Sequence, residues 1–107
     1  MISLQDVLQF LILSERIKLM ILNVKDFGDI LMSRPAGKEA FSMAKAYIFQ
    51  NLAENEKISL DFEDVKVLAP SWADEFITNL RTEYKNPIEF LNTDNESVSQ
   101  SLKYVAI

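Results

Sequence analysis

LDFEDVKVLAPSWADEF, residues 60–76, holds the change of period that decides the fold. Ile58, Leu60 and Phe62 alternate with Ser59 and Asp61, which is the pattern of a strand with one apolar face. Ala69-Pro70 ends that pattern. From Ser71 onward, Trp72, Phe76, Ile77, Leu80 and Tyr84 fall within one wide helical stripe, so the spacing predicts a helix over 71–84.

The same alternation of periods extends in both directions. Upstream, Pro35 suits the first turn of a helix, where its missing N–H is not needed. Ala40, Ala44, Tyr47, Ile48 and Leu52 then recur at helical spacing, predicting a helix of about 36–53 with MAKAYIF in the core. Residues 17–24, IKLMILNV, are apolar without a helical stripe and read as a strand buried on both faces. Residues 25–28 read as a turn, and 29–33 as a short second strand hairpinned on the first. Ser3 with Asp6 forms a capping-box pattern ahead of Leu4, Val7, Leu8 and Leu11, predicting a helix over 4–13. Downstream, Asn86-Pro87 breaks the helix, IEFL at 88–91 reads as a strand, and Asn92-Thr93-Asp94 supplies cap residues for a last helix carrying Val98, Leu102 and Val105.

Strands alternating with helices require crossover connections, which gives an α/β fold. The expected architecture is a mostly parallel or mixed sheet of about four strands packed by helices. Residues 1–107 form one domain, with 1–14 as an N-terminal helical extension.

Composition narrows the chemistry. A chain of 107 residues with 49% hydrophobic and 25% charged residues supports one folded core rather than extended disorder. The net charge is -5, and the eleven basic residues are scattered and outnumbered by sixteen acids, so no nucleic-acid partner is expected. Cysteine and histidine are both absent. That removes thiolate and imidazole metal ligands and the usual activator of a nucleophilic serine. With only two glycines, neither a phosphate-binding loop nor a dinucleotide fingerprint can be written, and no cofactor is expected. The apolar runs at 7–13 and 17–24 are too short to cross a bilayer and lack the flanks of a signal peptide, so the expectation is a cytoplasmic protein without a membrane partner.

Carboxylates recur around the central stretch. Asp61, Asp74 and Glu75 offer one reading as a metal-dependent enzyme. The simpler reading places Asp74 and Glu75 in the first turn of the helix, where the dipole favours negative charge. Arg34 then serves either a partner's carboxylate or phosphate, or an ion pair with Asp61, Asp74 or Glu75. Ser71 reads as an N-cap with Asp74 three residues on, or as a phospho-acceptor at a helix start. Trp72 reads as an exposed binding anchor or as the edge of the core. Asn92 reads as a turn or cap residue.

The run LMSRPAGKEAF, the stretch 60–76, then IEFLN and a short helix together resemble the bacterial STAS-like domains of unassigned function, relatives of the anti-sigma-factor antagonists. The resemblance covers about residues 17–106. It rests most on Ser33-Arg34, Leu60-Asp61-Phe62 and Ala73-Asp74-Glu75-Phe76. It implies a domain that docks on a protein partner, commonly an ATPase-type serine kinase that also acts as an anti-sigma factor. In that superfamily, phosphorylation of a serine at the start of the helix after the central strand releases the partner. The antagonists carry Asp-Ser-Ser-Gly or Asp-Ser-Thr-Gly at this helix start. Here the run is Ala69-Pro70-Ser71-Trp72, so the phosphorylated position falls on Pro70 and Ser71 is its neighbour.

The expected function is a non-catalytic signalling module in partner switching. Ser33, Arg34, Ser71, Trp72, Asp74 and Glu75 form its partner-binding surface, and Ser71 is its phosphorylation candidate. A homodimer built through the apolar segment 4–13 is a further reading.

Overall fold

The computed structural model describes residues 1–16 and 19–105, with the backbone alone for 11–16. In chain order it contains α1 (Leu4–Arg16), β1 (Leu19–Asn23), a 3-10 turn (Val24–Phe27), β2 (Ile30–Leu31) and α2 (Arg34–Tyr47). There follow β3 (Lys57–Asp61), β4 (Val67–Leu68), α3 (Pro70–Glu83), β5 (Ile88–Leu91) and α4 (Glu96–Val105). This is the expected α/β class. Residues 17 and 18, where the first strand was expected to begin, lie outside the described residues.

The main sheet is parallel, in the order β1-β3-β5, with Leu22 opposite Leu60 and Leu60 opposite Phe90. Each step along it moves in the same direction, so two right-handed crossovers put α2 and α3 on one face. There the two helices pack against each other. Leu22, Ile58, Leu60, Phe76, Ile77 and Leu80 form the centre of the core beneath them.

That one-sided winding corrects the reading of β1 as buried on both faces. β1 is an edge strand, and Leu19 and Ile21 lie 53% and 52% exposed on the face without crossover helices. The middle strand β3 is the buried one, with Ile58, Ser59 and Leu60 nearly inaccessible.

The second sheet corrects another expectation. β2 does not form a hairpin with β1; it pairs in parallel with β4, Ile30 opposite Val67 and Leu31 opposite Leu68. The 3-10 turn and Gly28, at φ 131°, redirect the chain away from β1 before β2 begins. β4 was not foreseen, because two residues give no period to read. Its backbone is tied to α4: the Leu68 N–H donates to Ser97 Oγ at 3.0 Å, and Ser101 Oγ donates to the Leu68 carbonyl.

Helix ends also shift. α2 stops at Tyr47, short of residue 53, and Tyr47 is 79% exposed rather than part of the core stripe. The cap of α4 is Asn95, whose Oδ1 accepts from the Val98 N–H at 3.1 Å, and not the Asn92-Thr93-Asp94 run. The capping box of α1 is present, with Asp6 N–H donating to Ser3 Oγ and Ser3 N–H donating to Asp6 Oδ2. Leu4, Val7, Leu8 and Phe10 on this helix are exposed.

α2 and α3 run parallel. Gly37 meets Trp72 and Glu75 near their N-terminal ends, and Lys45 pairs with Glu83 at 2.6 Å towards their C-terminal ends. Gly37 permits the approach, since a Cβ there would lie 2.7 Å from the Trp72 carbonyl oxygen and 3.1 Å from its Cα. Both are backbone atoms, which cannot rotate aside. Gly37→Ala is therefore expected to cost about 1–3 kcal/mol through overpacking, read as a lower midpoint in urea unfolding.

Candidate functional site

α2 starts at an unusual corner. Ser33 has φ 76° and ψ 146°, a region that a residue with a side chain seldom occupies, and its Oγ accepts from the Ala36 N–H at 3.3 Å. The cap bond and the start of the helix hold it there. Arg34 follows as the first helical residue and Pro35 as the second, where no N–H is required.

Arg34 reaches across to α3. Its Nη1 donates to Asp74 Oδ2 at 2.8 Å and to Glu75 Oε2 at 3.0 Å, so one guanidinium joins the N-terminal halves of both helices. Of the three acids offered by the sequence, Asp61 is not a partner. Its Oδ1 instead accepts from the Glu63 N–H and from Asn92 Nδ2, at 3.0 and 2.8 Å. Asn92, at φ 55°, thus closes the turn after β5 onto the end of β3.

The start of α3 differs from the expected cap. Ala69 occupies the N-cap, Pro70 is the first helical residue and Ser71 the second. Ser71 is half-buried, and its hydroxyl makes no hydrogen bond among the described residues. The reason is positional: a proline with fixed φ takes the first-turn place, moving the boundary two residues earlier than a Ser71 cap would set it. Asp74 and Glu75 consequently lie past the first turn, and Asp74 is occupied by Arg34 and by the Thr78 hydroxyl, at 3.0 Å.

Trp72 is not offered at the surface. It is 2% exposed and stacks on Phe76 with ring centroids 5.1 Å apart, while Phe27 tilts against both rings. Of the six residues assigned to a docking surface, the structure brings Arg34, Asp74 and Glu75 into contact, leaves Ser33 exposed beside them, keeps Ser71 half-buried and places Trp72 in the core.

Among the described residues the three carboxylates of the metal reading are not grouped together. Asp74 and Glu75 are engaged by Arg34, Asp61 is held by Asn92, and among the described residues no three metal-ligating side chains converge.

Two concave surfaces were not foreseen. A polar cleft of about 580 Å³ at the ends of β3 and β5 includes Lys25, Asp64, Lys66, Asn92, Asp94 and Asn95. An apolar groove of about 420 Å³ lies between β2 and α2. Nothing in the sequence pointed to the second: Met43, placed in the core by the MAKAYIF stripe, is 50% exposed and lines this groove with Ala36 and Ala40.

The architecture is that of a small singly wound α/β domain whose two crossover helices share one anchored N-terminal end. A family model described as a STAS-like domain of unknown function matches residues 44–98, just over half of the chain, and the chain belongs to that family. The match takes in β3, β4, α3 and β5 with Ser71, Trp72, Asp74 and Glu75; Ser33 and Arg34 precede it. No curated protein and no solved structure matched the chain.

The Arg34 bridge predicts a dependence on pH. The hydrogen bond from Arg34, and then that from Thr78, holds the Asp74 carboxyl below its ordinary value of 3.8. A depressed carboxyl adds stability above the ordinary value and loses it as pH falls through the folded one. Asp74→Asn is therefore expected to lower the urea midpoint at pH 7 and to bring the two proteins closer together by about pH 3. An equal gap at both pH values would remove charge as the cause.

Proposed function

We propose that the chain is a non-catalytic interaction module that docks on a protein partner through the neighbouring N-terminal ends of α2 and α3. The Arg34 bridge carries this reading. One side chain fixes both helix starts, so Ser33, Arg34 and the Ser71 hydroxyl form one presented end rather than two independent loops. The strained Ser33 adds weight, because backbone outliers persist where the surrounding structure holds them and cluster at functional sites.

The partner suggested by the resemblance to anti-sigma-factor antagonists is an ATPase-type serine kinase in the cytoplasm. Ser71 is the acceptor on this reading. As the second residue of α3 it sits where backbone N–H groups lack intrahelical acceptors, and a phosphate there is favoured by the helix dipole. Arg34, already bonded to Asp74 and Glu75, tempers the repulsion those carboxylates would exert on it.

The test is affinity capture from the source cell with the wild type and with Ser71→Glu, the fold of each checked by circular dichroism. An ATPase-type kinase captured by the wild type and lost at least ten-fold by the variant is the expected result. The captured kinase with ATP should then add one phosphate to the intact mass of the wild type and none to Ser71→Ala. Identical capture by both proteins, or an unchanged mass, refutes the docking switch.

A second reading is self-assembly. It is favoured by two apolar surfaces of one chain: the α1 stripe of Leu4, Val7, Leu8 and Phe10, and the open sheet face with Leu19 and Ile21. Deleting residues 1–14 is expected to turn a dimer into a monomer in light scattering while kinase capture persists. A full-length chain that is already monomeric sinks this reading.

A further inference from the structure

The groove between β2 and α2 borders an unpaired strand edge. In the β2–β4 ladder the Asp29 and Leu31 carbonyls accept from Val67 and Ala69, so the β2 residues facing β4 are Asp29 and Leu31. Backbone groups alternate sides along a strand. The Ile30 N–H and C=O therefore point to the other edge, where no backbone group among the described residues takes them.

Beside that edge the side chains are apolar and exposed. Ile30, Met32 and Met43 are 60%, 53% and 50% exposed, and the groove reaches inward to Phe27 and Trp72. Ala36, Ala40 and Met43 recur at helical spacing, so α2 turns one continuous stripe to the groove. Methionines suit such a surface because their unbranched side chains adapt to different occupants. Its border is acidic: Asp26 and Glu39 are exposed and have no ion-pair partner among the described residues.

We infer that this groove receives an extended peptide segment of a partner protein, paired through its backbone with Ile30. The segment places apolar side chains between Met32 and Met43 and a flanking Lys or Arg against Asp26 and Glu39. A free N–H and C=O select a strand, alternate side chains enter the apolar groove, and the two uncompensated carboxylates set the charge of the occupant. The site uses a face of α2 distinct from the Arg34 bridge, and its test contains no kinase.

The probe is a displayed library of random twelve-residue peptides, selected on the wild type and counter-selected on Asp26→Lys/Glu39→Lys. All substituted positions are exposed, and each variant is checked for an unchanged melting temperature. Enriched peptides are expected to carry alternating apolar residues beside Lys or Arg. A synthetic one should bind at least ten-fold more weakly to the charge-reversed protein and to Met43→Glu, and should slow amide exchange at Ile30. Enrichment of neutral or acidic peptides, no enrichment over the counter-target, or an unchanged Ile30 amide overturns the inference. So does a wild-type dimer that the same substitutions dissociate, since the edge would then be filled by a second copy.

Discussion

The closeness of α2 to α3 at Gly37 sets the rest of the structure. With no Cβ in the way, the α3 backbone at Trp72 comes against α2, and the two helices share one face of the sheet as a parallel pair. Three consequences follow from that separation. Arg34, three residues before Gly37, can span to Asp74 and Glu75. Phe41 and Phe76 meet edge to face at 5.9 Å, filling the space beneath the crossing. Lys45 and Glu83 close the far end of the pair. A wider crossing would leave Arg34 without its carboxylates and the candidate surface as two separate helix ends.

Much of this order was legible in the sequence. The period change across residues 60–76 gave β3 and α3, and the strand-helix alternation gave a parallel sheet, because both depend on patterns long enough to carry a period. What escaped was set by tertiary pairing. β2 and β4 are two residues each, and nothing local states that they pair with each other instead of with β1. The face of β1 was misjudged for a related reason: its composition suits a strand buried on both sides, but burial depends on which way the crossovers wind, and both wind to one side. Tyr47 shows the limit of a stripe, since it holds the right phase as the last residue of its helix and still lies exposed.

The candidate site was legible as a place more than as a set of roles. Arg34, Asp74 and Glu75 do meet, as one of the pairings open to Arg34 required. For Ser71 and Trp72, each open to two readings, the neighbouring residues decide the structural part. A serine ahead of an acidic residue reads as a cap, yet Pro70 takes the helix start and leaves the hydroxyl without that duty. A tryptophan at a helix start reads as an anchor or as the edge of the core, and Phe27 and Phe76 enclose it on the core side. Where the antagonists carry a glycine at this helix start, the aromatic ring here becomes part of the core that supports the surface.

The enclosure of Trp72 has an optical consequence. It is the only indole in the chain, 2% exposed, stacked on Phe76 and bordering the groove between β2 and α2. Its emission therefore arises from one site, shielded from water in the folded state and wetted on unfolding. The same ring stands where a groove occupant would change its surroundings. The protein thus carries a built-in spectroscopic label at the junction of its two crossover helices, able to separate loss of fold from a local change without any added dye.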